Sequence, residues 1–302
     1  MYNFQSILVF YSFSSLFLLI SNLFSPAQTK VTELFRSSVT SVTLKSEILS
    51  QNRSVILNNE ILKNSIYTIE NRETSSQEFH LNNGRAEFRY GTGATQRNIV
   101  TIVEPWIRYG DLNYDQSLDA IAILAYSSGS SGTFIYLATM LNQEGKAINV
   151  ATEFLGDRIK IHSLSIENKQ IFITFSERNR EERILYQFTL NSGKLTKEEI
   201  SNHILNKITF DLTNISPEGL IGNHNNLRSL SYEFCIPKNS QYLFQIKDLD
   251  STISFSNSKG RIGCTEKEYL CIGDTHKPNW REILIGIAKL SYVAKINQFF
   301  GE

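Results

Sequence analysis

The sequence predicts a β-rich antiparallel domain over residues 65–200, followed by an α+β ferredoxin-like (βαββαβ) module over residues 227–302. Three observations carry this expectation. Short β-branched and aromatic runs recur about every ten residues in the first region, separated by turn signals. In the second region the hydrophobic period switches between two and 3.6 in the order β-α-β-β-α-β. Between them, residues 201–226 contain "NISPEGLIGNHNN", rich in Asn, Gly and Pro, and read as a linker.

The chain opens with an uncharged apolar run, "SILVFYSFSSLFLLISNLF" (residues 6–24), followed by Ser25 and Ala27, small residues placed two apart. Residues 1–27 therefore read as a signal peptide. The run is close to the ~20 residues that span a bilayer, so a retained membrane anchor is the second reading. The expected location is periplasmic or extracellular. Residues 28–64 form a polar lead-in. Within the β-rich region, "IVTIVEPWI", "LDAIAILAY", "GTFIYLATML", "KAINVATEFL", "DRIKIHSLSI", "KQIFITFS" and "RILYQFTL" read as strands, with turns at "ENK" and "NSGK". The segment "YSSGSSGTF" lacks the G-x-S-x-G spacing of a nucleophile elbow and reads as a hairpin loop.

The C-terminal elements follow in order. "LRSLSYEFCI" alternates as a half-buried strand does. "SQYLFQIKDL" places Tyr242, Leu243, Ile246 and Leu249 on one helical face, with Asn239 as N-cap. "STISFS" is a strand, and "GRIGCTEKEYLCIG" reads either as a hairpin or as the junction of two strands. "PNWREILIGIAKL" carries a buried stripe of Ile283, Leu284, Ile287 and Leu290, with Asn279 and Glu282 at capping-box spacing. "YVAKINQFF" closes the module as a strand. Its first and third strands are expected to be parallel neighbours.

Thirty basic residues balance thirty acidic ones in 302, and no basic stripe is present. That excludes a nucleic-acid binder, whose affinity rests on a positive face. The hydrophobic content of 41% is enough to build sizeable cores.

The candidate site is "GDLNYDQSLDAIAIL". Asp111, Asn113, Asp115, Ser117 and Asp119 occupy alternate positions of a D-x-N-x-D-x-S-x-D loop that runs into a strand. Calcium (Ca2+) takes six to eight oxygen ligands, and alternate side chains of a tight loop can converge on it. Without a cation, three carboxylates so close disfavour one another's ionisation. Ala122 stands where an EF-hand carries its bidentate glutamate, so a helix–loop–helix site is excluded. Gln116 occupies the sharp-turn position usually given to glycine. An Asp/Asn-rich turn bonding its own backbone is the competing explanation.

The stretch from residue 109 to 173 resembles a domain of secreted bacterial proteins of unknown function. There a GDLNGDG-type loop leads into a strand, then a Gly/Ser-rich GTF turn, then an NVAT…LGDR segment. Tyr114 and Gln116 stand where that pattern carries glycine. The blocks "SYEFCIP", "GRIGC", "CIGDTHKPNWREIL" and "YV…I" are similar to a module of uncharacterised cyanobacterial proteins. Neither resemblance implies an activity.

Three cysteines, Cys235, Cys264 and Cys271, leave at least one thiol unpaired. Cys235 with Cys271, or Cys264 with Cys271, are the disulfides the predicted topology allows. A thiol enzyme or envelope hydrolase would use Cys271 or Cys235 with His276 and Asp274. Against it, strand cysteines are more often small apolar residues. Trp280 reads as core packing. The leading expectation is a non-enzymatic binding or structural protein of the cell envelope, with calcium as a folding staple and an unknown envelope ligand or protein as partner.

Overall fold

A short helix, α1 (Asn59–Lys63), precedes a hairpin of β1 (Ile66–Asn71) and β2 (Thr74–His80). The Asn58 side chain accepts the Ile61 N–H and so satisfies one of the helix's free donors. These elements belong to a computed structural model that describes residues 56–71, 74–89, 97–127, 129, 132–223 and 226–300. The signal-peptide and anchor expectations fall outside the described residues. Among the described residues, no helix is long and apolar enough to cross a membrane.

Two antiparallel meanders follow. The first is a five-stranded sheet of β3 (Arg85–Arg89), β4 (Arg97–Gly110), β5 (Asp119–Ser127), β6 (Phe134–Gln143) and β7 (Lys146–Asp157), in chain order. The second contains β8 (Lys160–Glu167), β9 (Gln170–Ser176), β10 (Arg183–Asn191) and β11 (Lys194–Ile200), also in chain order. Sequential pairing follows from the short turns. Asn168–Lys169 and Ser192–Gly193 both have two successive positive φ angles, the two-residue turn whose twist matches flanking strands. Pro105 interrupts β4, and the pairing with β5 shifts register between Ile102 and Ile107, where a residue without an N–H is tolerated.

β5 is buried on both faces. Ala120, Ala122 and Leu124 pack beneath Leu62, Tyr67 and Phe79 of α1 and the β1–β2 hairpin. Ile121 and Ile123 face the second sheet and meet Ile171, Ile173 and Phe188 there. A strand covered on both sides reads as a continuous apolar run, and "AIAIL" is one. The chain is thus β-rich and its sheets are antiparallel.

The segment read as a linker is packed rather than extended. It holds α2 (Asn202–Leu205), a 3-10 turn (Leu212–Asn214) and a two-residue strand, β12 (Leu220–Ile221), which pairs with β13 (Arg228–Ser229) just beyond it. Ile208 and Ile215 join the C-terminal core. Gly219, at φ +81, passes so close to Thr275 that an added Cβ would lie 1.5 Å from its carbonyl oxygen. Only glycine fits there, and the Thr275 hydroxyl donates to the Gly219 carbonyl.

The C-terminal elements are β14 (Ser231–Pro237), α3 (Ser240–Leu249), β15 (Ser254–Ser256), β16 (Glu268–Asp274), α4 (Trp280–Lys289) and β17 (Ile296–Phe299). Their sheet order is β15-β16-β14-β17. The first and third strands are neighbours but antiparallel, which corrects the expected parallel pairing. Each helix returns the chain so that β14 and β15 run the same way, and β16 between them must oppose both. Asn239 caps α3 as expected, its side chain accepting the Gln241 N–H. The capping box at α4 does not form. Asn279 makes no side-chain cap bond, and Glu282 instead accepts from Asn168 and Gln170 at the tip of the β8–β9 hairpin.

α4 is buried on more than its predicted stripe. Ile283, Leu284 and Ile287 face the C-terminal core, while Ile285 packs on Phe172, Leu185 and Ile200 of the second meander. The helix is shared by two sheets. Val55–Glu302 accordingly holds together as one compact unit.

Candidate metal centre

β4 ends at Gly110 and β5 begins at Asp119, so the carboxylate-rich loop is the tight connection between two central strands. Asp111 Oδ1 accepts the N–H groups of Asn113 and Tyr114, and its Oδ2 accepts from Gln116 at 3.3 Å. Asp115 accepts the Ser117 N–H at 2.7 Å and the Asn113 side-chain amide at 2.9 Å. Asp119, fully buried, accepts from Leu112 N–H at 2.8 Å and from Asn142 N–H of β6 at 2.9 Å. Local side-chain-to-backbone bonds thus draw the loop into a coil with its carboxylates inward.

The coil needs left-handed backbone. Tyr114 has φ +71 and Gln116 has φ +66. Each costs on the order of 1–2 kcal/mol in a residue with a Cβ. The carboxylate bonds to the amides of residues 114, 116 and 117 offset that cost.

Candidate ligand oxygens of Asp111, Asp115 and Asp119 lie within 4.8 Å of one another. Asn113 and Ser117 act here as donors that orient Asp115. Burial, together with the Asp115 and Asp111 charges, pushes the Asp119 carboxyl above its usual range, against the pull of the two N–H donors. Burial also works against ionisation of Asp115, but bonds from Asn113 and Ser117 and the Lys169 charge hold it below that range. Every one of the three carboxylates keeps an oxygen lone pair beyond its N–H bonds, and all are hard donors. The set is all oxygen, with no nitrogen or sulfur, which suits a hard cation better than a softer metal.

No protein-family model matches this chain, and no curated protein or solved structure is similar to it.

The C-terminal candidates do not assemble. Cys235 is bonded to Cys264, with Cα atoms 5.5 Å apart, a pairing the predicted topology left out. The loop before Cys264 folds back over β14, where Arg261 N–H donates to buried Glu233, and this brings the two sulfurs together. Cys271 is a fully buried free thiol in the core, and burial pushes it up to about 12. His276 is exposed, its N–H donating to Asp274 in a local turn. Trp280 is core, donating its indole N–H to the Ser216 carbonyl.

Two relationships have no local signal in the sequence. Lys169 reaches Asp111 Oδ2 at 3.6 Å and lies over the Tyr114 ring. One residue away in the same hairpin tip, Asn168 donates to Glu282, and Glu167 pairs with Arg281. Three consecutive residues therefore tie the loop to α4. Only pairing across long sequence separations brings them together.

Proposed function

We propose that the loop over residues 111–119 binds calcium as a structural staple in an exported, non-enzymatic binding or structural protein of the cell envelope. The observation that carries this is the convergence of three carboxylates within 4.8 Å on a loop that spans two central strands. A cation there would offset the mutual repulsion and the burial of Asp119, and so hold β4 and β5 in register. The Cys235–Cys264 disulfide supports an oxidising compartment and hence export. The C-terminal order β14-α3-β15-β16-α4-β17, with sheet order β15-β16-β14-β17, supports reading that module as ferredoxin-like.

Thermal unfolding with calcium and then with excess chelator tests the staple. Binding to the folded state alone stabilises by RT ln(1 + [L]/Kd), about 2.7 kcal/mol at 100 Kd. The midpoint should rise with calcium in the parent protein and stay put when Asp111 and Asp115 are both alanine. A midpoint indifferent to calcium would leave the loop as a self-bonded turn.

A further inference from the structure

We infer that Lys169 is a resident cation of the carboxylate loop, and that calcium must displace its ammonium to bind. The inference rests on the calcium reading above and deepens it. Lys169 belongs to neither strand of the loop: it sits at the tip of the β8–β9 hairpin, at φ +63, a turn position that favours glycine or asparagine. Its side chain is only 22% exposed, low for a lysine, and its Nζ stands 3.6 Å from Asp111 Oδ2.

Two features of the chain build this contact. Gly110, the residue before the loop, lies against Ile166 so closely that a Cβ would come within 2.8 Å of its Cγ2. The missing side chain lets the β8–β9 hairpin settle against the start of the loop. Arg108 fixes the same approach by donating from Nε to the Leu164 carbonyl. Tyr114 completes the enclosure, with the Lys169 ammonium lying over its ring. An aromatic residue at a left-handed position is unfavourable on backbone grounds, and here its ring lies against a cation beside Asp111.

An ammonium at this place does electrostatically what a divalent ion would do, with one charge in place of two. It relieves repulsion among Asp111, Asp115 and Asp119, so the loop keeps its coil without metal. It also repels an incoming cation and must vacate the space beside Asp111. Calcium affinity is therefore set by Lys169 as well as by the carboxylates.

Isothermal titration of calcium chloride into the full-length protein and into Lys169→Met, Lys169→Gln and Lys169→Arg tests this. The two neutral variants should bind calcium about five- to tenfold more tightly than the parent, the change in Kd expected for removing one nearby charge at the protein surface. Lys169→Arg, which keeps the charge, should bind like the parent. Equal affinity in all four proteins overturns the role of Lys169 and leaves the calcium site standing. Absence of binding in all four overturns the calcium site itself, and the inference with it.

Discussion

Arg281 and Glu167, 114 residues apart, form an ion pair buried between α4 and the second meander. The guanidinium Nε lies 3.1 Å from both carboxylate oxygens, and the side chains are 4% and 1% exposed. Ser165 donates a further bond to Glu167, and Arg281 also donates to the Leu212 carbonyl while lying over Trp280. Burial raises the Glu167 carboxyl above its usual range against the pull of Arg281. The pair is satisfied but expensive to desolvate, which makes it a device of registry more than of stability.

Removing one partner alone should therefore be severe. Arg281→Met or Glu167→Leu leaves an unpaired charge or its neutralised remnant in the core, and each should cost about 3–5 kcal/mol in urea unfolding. The double variant should cost clearly less than the sum, since neither charge is then stranded. Additive losses would mean that the two side chains act independently.

Asp250 gives the acid limb of stability a named contributor. Burial opposes its ionisation, but Lys277 Nζ at 2.6 Å and the Thr252 hydroxyl and N–H hold its carboxyl below the usual range. A depressed native pKa contributes stability above the unfolded value of about 3.9, lost as pH falls through the native value. Asp250→Asn should thus be less stable than the parent by about 1–3 kcal/mol between pH 5 and 8. The gap should begin to narrow as pH falls below about 4 and close only once pH is below the depressed native value. A gap independent of pH would show that the lost charge is not the cause.

Cys271 should resist chemistry in the native state. Its thiol is buried and pushed up to about 12, so almost no thiolate exists at neutral pH. Iodoacetamide should add nothing to the folded protein, one adduct after denaturation and three after denaturation with reduction, as the Cys235–Cys264 bond requires. A native adduct at Cys271, found by peptide mass mapping, would reopen a thiol enzyme.

Much was legible along the chain because it is local. Turn residues at "ENK" and "NSGK", the Asn239 cap, the continuous apolar β5 and the alternate carboxylates all act on neighbours within a few residues. The stripe on α4 was legible too, but Ile285 on its opposite face gave no hint of the second meander it packs on. Arg281 gave no such hint, because a charged residue on an outer face looks the same whether it meets water or a carboxylate from another sheet.

Local physics in the sequence therefore determined the β-rich character, the turns and the crowding of Asp111, Asp115 and Asp119. The tertiary structure alone decided that Cys235 bonds Cys264, that Ile208 and Ile215 of the segment read as a linker pack into a core, and that the hairpin tip carrying Glu167, Asn168 and Lys169 joins the loop to α4. Period and turn chemistry act over a few residues and leave their mark in adjacent letters. Partners across 29, 58 or 114 residues are chosen by how whole sheets and helices bury their faces, and no short stretch of sequence records that choice.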